Sequence, residues 1–371
     1  MSTLTAISLF TGAGGMDIGM RRAGFTVLAE LEIDRFCCET LRAAVKREHS
    51  NTVVYEKDIR EVDPPDLGLE LGVAPATLDL LFGGPPCQPF SLAGKQNGLD
   101  DMRGPLLFEI IRFAEYFQPK VILLEQVKGL LNAKDTEGRK GGVFQQFISE
   151  LERIGYIPKW QLCCAADYGV PQLRERVFVV AVHSENNFQF PSKTHTANPN
   201  IPNMFGLLPH VTVGDVLKGL GEPSPKIKGV TIYHRADSHV DVTPDRDRER
   251  ISQVPEGSYL AAQTHLSSDL LCNLQSKDTT KYLRLNRRKP ANTLRCGEIF
   301  FHPTEDRYLT PREYMRIHGY DDTYILCGPI RSRTGSVKSL DQHRQVANSV
   351  PPQLAYVIGS GIRRYLNEQD I

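Results

Sequence analysis

The sequence predicts an α/β fold: a doubly wound, mostly parallel sheet with a second, smaller and irregular domain. Three observations carry this expectation. Short apolar runs alternate with helix-length stretches through the first half. The first run leads straight into a glycine-rich turn that opens a helix. After Val182 the alternation stops, and Asn186 to His210 is rich in Asn, Pro and Thr with no sustained period.

Taken in order, Leu4 to Phe10 reads as a first strand, and the turn after it starts a helix ending near Ala23. Thr26 to Leu31 is a second strand, and Asp34 caps a helix running to about Lys46. Thr77 to Phe82, Val121 to Leu124 and Arg176 to Val182 are further strands, with helices at Leu106–Phe117 and Val143–Ile154. Strands separated by helices of this length pair in parallel. From His210 to about Lys289 the signals are weak, apart from a charged helix at Arg246–Ser252. Near the end, Leu354, Val357, Ile358 and Ile362 share one helical face. The expected division is 1–185, 186–344, and a segment 345–371 that returns to the first domain.

Composition narrows the class. With 371 residues, 40% hydrophobic and 24% charged, the chain can bury a sizeable core and divides into about two domains. No apolar run reaches the ~18 residues of a spanning helix, and Met1-Ser-Thr-Leu-Thr lacks a basic signal region. Membrane, secreted, collagenous and disordered classes are set aside, and a cytoplasmic protein is expected. The 44 basic residues balance 44 acidic ones, so nucleic-acid binding has to be judged segment by segment. None of the eight cysteines lies in a CxxC arrangement, so no metal site is expected. The adjacent pairs Cys37-Cys38 and Cys163-Cys164 suit reduced core positions.

Two loops carry the chemistry. In Phe10-Thr-Gly12-Ala13-Gly14-Gly15, glycines let the backbone approach a ligand and the helix start offers free N–H groups. Glu32 follows at the end of the second strand, where an acid accepts both ribose hydroxyls of a nucleotide-like cofactor. The spacing is GxGG, not GxGxxG, so it indicates an adenosine-containing cofactor without specifying a dinucleotide. A tight turn with a solvated glutamate is the competing reading. The second loop, Gly83-Gly-Pro-Pro-Cys87-Gln-Pro-Phe-Ser91, is far more specific. Its prolines stiffen a segment at a strand's carboxyl end, where open α/β sheets place their sites. A cysteine held there is available as a thiolate nucleophile once its pKa is lowered.

With these loops in view the chain resembles the C5-cytosine DNA methyltransferases that use S-adenosylmethionine, over nearly its whole length. The blocks that match are the GAGG turn, the PPCQPFS loop, Glu125-Gln126-Val127, Pro171-Gln-Leu-Arg174-Glu-Arg176, Arg288-Lys-Pro-Ala-Asn-Thr293-Leu, and Gln345-Val-Ala-Asn348-Ser-Val350, in that order. The resemblance implies a Rossmann-like methyltransferase fold. It makes 1–185 the catalytic and cofactor-binding domain and 186–344 a target-recognition domain with hinge segments.

The implied chemistry explains the residue types. Cytosine C5 is a poor nucleophile; adding a thiolate to C6 moves electron density to C5, which then attacks the methyl group. That assigns Cys87 as covalent nucleophile, Glu125 as the donor at N3, and Arg176 as the planar fork holding the base carbonyl and the acid. Arg174 enters the catalytic set, with bracing of the fold or of a phosphate as its alternative role. For S-adenosylmethionine the resemblance implies Phe10, Gly12, Ala13, Gly14, Gly15, Glu32, Ile33, Asp58, Ile59, Pro86, Leu106, Asn348 and Ser349. Two departures stand out. The family's Glu-Asn-Val is here Glu125-Gln126-Val127, and its Gly-Asn-Ser-Val is Ala347-Asn-Ser-Val. Glutamine keeps the amide from a shifted backbone, so activity is expected to be retained.

A duplex hides C5 and C6 in the stack, so the target base must swing out. The resemblance makes Leu92 to Gly104 the loop that closes over it, and places Gln88, Ser91, Lys95, Gln96, Arg103, Arg287, Arg288 and Thr293 on DNA. Lys281, Arg284, Arg287, Arg288, Lys289 and Arg295 form a basic cluster without an intervening acid, suited to phosphates. Region 210–289 is the expected recognition segment. The implied enzyme is a monomeric DNA (cytosine-5) methyltransferase acting on duplex DNA in a restriction–modification system, with a cognate endonuclease acting independently. The alternatives are the family's tRNA-directed branch, whose Cys-Phe-Thr signature is absent here, and a non-catalytic DNA-binding relative.

Overall fold

The apolar runs of the first half condense into one sheet, and their alternation shows which face each residue buries. The computed structural model describes residues 3–86, 106–183, 187–198, 206–231, 233–235, 238–271, 274, 281–298, 300–331 and 339–369. The first half runs β1 (Leu4–Leu9), α1 (Gly15–Arg22), β2 (Phe25–Glu32), α2 (Arg35–Glu48), β3 (Val53–Glu56), α3 (Pro64–Leu71) and β4 (Leu80–Gly83). After residue 105 come α4 (Glu109–Phe117), β5 (Val121–Val127), α5 (Gly142–Arg153), β6 (Ile157–Cys164), β7 (Gln172–Leu173) and β8 (Glu175–Val182). All but the two-residue β7 join one seven-stranded sheet in the order β3-β2-β1-β4-β5-β8-β6.

Neighbours from β3 to β5 pair in parallel, while β8 runs antiparallel to both β5 and β6. The sheet is therefore mostly parallel, as expected. Strands β3 and β6 and helix α3 were missed because their residues are too mixed in polarity. β6 is an edge strand with Ile157 and Trp160 exposed. Conversely, Asp34 caps α2 as read, accepting from the Cys37 N–H at 2.8 Å.

Both faces of the sheet are covered. Ile7, Leu9, Leu81, Ile122 and Leu124 pack under α3, α4 and α5, whereas Ala6, Val27, Leu80, Phe82 and Leu123 pack under α1 and the last helix. That last helix belongs to the second half, which contains α6 (Val213–Leu217), α7 (Asp245–Ser252), α8 (Pro311–His318), α9 (Gln342–Asn348) and α10 (Pro352–Gln369). Leu354, Ile358 and Ile362 are fully buried, so the predicted apolar face of α10 is real and lies on the sheet, with Val357 at its margin. Close approach is set by Gly19, where a Cβ would stand 2.4 Å from the Ala355 Cβ.

The remainder of the second half builds its own core from Leu283, Leu285, Leu294, Phe300, Tyr314, Met315 and Ile317, and this core includes Ala13 of the glycine-rich turn. Helices α8 and α9 were not read from the sequence. α8 is announced by Thr310, Pro311 and Glu313, a complete capping box with proline in the first turn.

Strand order fixes where a ligand can sit. The chain winds outward from β1 to β3, then crosses back to β4 and β5. The crevice at such a reversal opens at the carboxyl ends of β1 and β4. Those ends lead into the two loops singled out above.

Candidate active site

The loop after β1 leaves ordinary backbone space. Phe10 has φ 55° and Gly12 and Gly14 have φ 59° and 74°, so the turn is left-handed at three of five positions. At Gly14 a Cβ would meet the Tyr324 hydroxyl at 2.8 Å, so only glycine fits. That hydroxyl donates to the Ala13 carbonyl at 2.9 Å and thereby anchors the turn from the second half. A Cβ at Gly15 would lie 3.1 Å from the Ser349 Cβ, so the segment after α9 closes directly against the turn.

Glu32 is half-buried, and both of its carboxylate oxygens are engaged. Its Oε2 accepts from the Gly12 N–H at 2.7 Å and its Oε1 from the Ile33 and Asp34 N–H groups at 2.8 Å each. Burial pushes its pKa up, against those three N–H donors. The carboxylate thus clamps the turn to the end of β2, and Ile33 is half-buried beside it. Asp58 caps a short turn and pairs with Arg60, while Ile59 is buried and its carbonyl accepts from Arg112 at 2.7 Å. Leu106 opens the turn before α4 and packs against the core on that face of the sheet. Asn348 is exposed at the end of α9.

On the other side of the crevice, β4 leads through Gly84 and buried Pro85 to Pro86, which is exposed. Cys87, Gln88, Ser91, Lys95, Gln96, Arg103 and the loop Leu92 to Gly104 lie outside the described residues. What holds the stem of that loop is described. Gln126 is buried; its Nε2 donates to the Pro85 carbonyl at 2.6 Å and its Oε1 accepts from the Val127 N–H at 3.0 Å. The glutamine that replaces the family's asparagine therefore grips the stem directly. Ala347 is helical within α9, which is why alanine serves in place of glycine there.

Beside this stem, Glu125 is buried near the end of β5, and a Cβ at Gly84 would lie 3.2 Å from its Oε2. Arg176 on β8 stands opposite, its Nε 2.8 Å from Glu125 Oε1, with both side chains about nine-tenths buried. The approach is close but off-line, and Oε1 lacks a well-directed hydrogen-bond donor. Burial lowers the Arg176 pKa, against the attraction of Glu125.

Arg174 points elsewhere. Its Nη2 donates to the Ala347 and Ser349 carbonyls at 3.0 and 2.9 Å and its Nη1 to the Leu294 carbonyl at 3.3 Å. Burial, with repulsion from Arg176, pushes its pKa down to about 9. Its contacts are those of a brace between three segments. The basic cluster also divides. Arg284 is buried against the Ile251, Val254 and Pro303 carbonyls, which removes it from any phosphate-facing set and corrects that expectation. Arg287, Arg288 and Lys289 are exposed, and Thr293 donates to the Leu173 carbonyl at 2.8 Å.

Sequence reasoning overlooked Gln172, His318, Tyr320 and Tyr324. All four are buried, and all but Gln172 come from the weakly patterned second half. Gln172 stood inside a block already noted; the others gave no local signal.

A doubly wound sheet with a glycine-rich turn on one side of its switch point and a buried acid–arginine pair on the other has the layout of an α/β ligand-binding site. Residues 4–364 match the family described as C-5 cytosine-specific DNA methylase, and the chain belongs to that family. It is 34% identical to Type II methyltransferase M.PspPI of Psychrobacter sp., over 97% of this chain and 79% of the relative. It is 30% identical to Type II methyltransferase M.NgoFVII of Neisseria gonorrhoeae, over 94% and 83%. Among solved structures, one described as a DNA modification methyltransferase encoded within an Escherichia coli prophage superposes with TM-score 0.68 at 23% identity, over 98% of this chain and 99% of that one. A Spodoptera frugiperda DNMT2 variant gives 0.60 at 18%, over 97% and 99%. These two likenesses concern the fold. Among the described residues, no helix is long and apolar enough to cross a membrane.

Proposed function

We propose that this DNA cytosine-5 methyltransferase is the modification enzyme of a type II restriction–modification system, using S-adenosylmethionine to methylate C5 of a flipped-out cytosine in a specific duplex sequence. One observation carries the reading: the Glu125–Arg176 pair stands at the stem of the loop that bears Cys87, with Gln126 fixing that stem.

The turn after β1 suits the cofactor, because a Cβ at Gly12 would meet nothing within 4 Å and so leaves a cradle at the strand end. Phe10, Gly12 to Gly15, Glu32, Ile33, Asp58, Ile59, Pro86, Leu106, Asn348 and Ser349 are the residues that would hold it. S-adenosylmethionine, when bound, supplies an electrophilic methyl group on sulfur.

The chain's own residues do the rest. The Cys87 thiolate adds to C6 of the base, and the electron pair displaced toward N3 is met by a proton held at Glu125. Arg176 keeps the carboxyl and the base carbonyl in one plane through its fixed fork. C5, now electron-rich, forms the new carbon–methyl bond as the methyl–sulfur bond breaks, whose electron pair would stay on the departing thioether sulfur. Loss of the C5 proton to a base such as water then expels the Cys87 thiolate and restores the aromatic ring. Region 210–289 would read the sequence, and exposed Arg287, Arg288 and Lys289 would contact phosphates.

The test uses duplex DNA carrying 5-fluorocytosine, whose C5 fluorine cannot leave as a proton. The wild-type enzyme should form an adduct that survives denaturation and Cys87→Ala should not. Sequencing 5-methylcytosine in a host expressing the chain should reveal one recurrent site. Methylation of tRNA with none of duplex DNA would overturn the substrate assignment, and methyl transfer by Cys87→Ala would overturn the mechanism.

A further inference from the structure

Below the crevice lies a buried chain of polar groups that none of the assigned roles uses. It begins at Leu294, whose N–H donates to Gln172 Oε1 at 3.1 Å. The Gln172 Nε2 lies 3.0 Å from His318 Nδ1, and His318 Nε2 lies 2.9 Å from the Ser349 carbonyl. A carbonyl only accepts, so the ring proton sits on Nε2 and Nδ1 accepts from the amide. Every member then has one consistent role. Gln172 and His318 are both fully buried, and burial holds the imidazole neutral, well below its usual pKa.

The two ends of this chain matter. Ser349 packs on Gly15 of the turn assigned to the cofactor. Leu294 ends the segment that follows the exposed Arg287, Arg288 and Lys289, pairs with β7 through Ala291 and Asn292 and passes through Thr293. Arg174 spans the same ends, touching the Leu294 and Ser349 carbonyls. A buried network with all partners met has few alternative arrangements, so displacing one end moves or strains the other.

We propose that Gln172 and His318 are positioning residues that couple occupancy of the pocket walled by Ser349 to the placement of the 291–294 segment, so that cofactor and DNA tighten each other's binding. The proposal rests on the function assigned above and adds a pathway to it. Coupling of this kind is reciprocal.

The test measures binding of S-adenosylhomocysteine and of a duplex carrying the mapped methylation site, each alone and with the other saturating. Wild-type enzyme should show about tenfold mutual tightening. His318→Leu and Gln172→Leu should bring that ratio to within about twofold of unity. His318→Gln, which keeps one donor and one acceptor, should restore it. A variant that is merely less stable weakens both ligands but leaves the ratio intact. Hydrogen exchange of the wild-type enzyme provides a measurement that no folding defect can spoil: S-adenosylhomocysteine alone should slow exchange across 291–294. A folded His318→Leu with the wild-type ratio, or unchanged exchange in that segment, overturns the proposal. If the wild-type enzyme binds neither ligand, the functional assignment fails with it; if it binds both independently, only the coupling fails.

Discussion

Gln126 shows how one methylene is absorbed. An asparagine in its place would have a shorter reach to the Pro85 carbonyl, yet the glutamine spans the gap at 2.6 Å from a strand end that still presents Glu125 to Arg176. Gln126→Leu is therefore expected to free the loop stem and lower kcat by at least about tenfold with little change in cofactor affinity, whereas Gln126→Asn should lie between; single-turnover methylation checks both. Arg176→Lys should lose about a hundredfold in kcat, since an ammonium cannot serve carboxyl and base together. Arg174→Met belongs to another category of effect. Three carbonyls from two distant segments lose their donor, so a stability loss of about 1–3 kcal/mol is expected in urea denaturation. From the sequence, Arg176 was expected to hold the base carbonyl and the acid, while Arg174 kept two alternative roles. Their side chains leave the same strand region in different directions, and only the surrounding carbonyls and carboxylate distinguish them.

Helix α1 couples the glycine-rich turn to the rest of the molecule. Its Gly19 allows α10 to dock, and Gly19→Val is expected to cost about 1–3 kcal/mol by overpacking against Ala355, seen as a lowered melting temperature. The same helix buries Asp17 completely, with neither carboxylate oxygen hydrogen-bonded. Burial raises its pKa to about 6, and Glu30 on β2, which pairs with Arg21, is raised to about 8 by burial and by Asp17. Acids whose folded pKa exceeds the unfolded value hold protons more tightly when folded. Their contribution is complete below the unfolded values near 4 and is lost as pH rises toward 8. Relative to wild type, Asp17→Asn should therefore gain stability progressively between pH 4 and pH 6, read from urea midpoints of the two proteins. No sequence pattern announces this, because Asp17 in a first helical turn reads as a favourable, exposed dipole partner.

The whole chain carries no net charge, so its attraction to DNA depends on distribution and not on total. Arg287, Arg288 and Lys289 remain exposed after Arg284 turns inward, and replacing all three by alanine should lower the salt dependence of duplex binding by about 3 in log–log slope. Most of the parallel half was legible because β1, β2, β4 and β5 and the helices α1, α2, α4 and α5 write their own period, unlike β3 and α3, and the two chemical loops because prolines and glycines are rare in such order. Legibility failed for β6, α8 and α9, whose residues are chosen by neighbours far along the chain. The amino-acid order by itself thus determined the doubly wound fold class, the two loops that follow its strands and the family motifs, all of which are local in sequence. What Arg174 touches, the burial of Arg284, and how Leu294 reaches Ser349 through Gln172 and His318 were decided only by folding. Each depends on contacts between segments roughly thirty to more than a hundred residues apart, and a buried polar side chain takes its role from whatever partner burial leaves it.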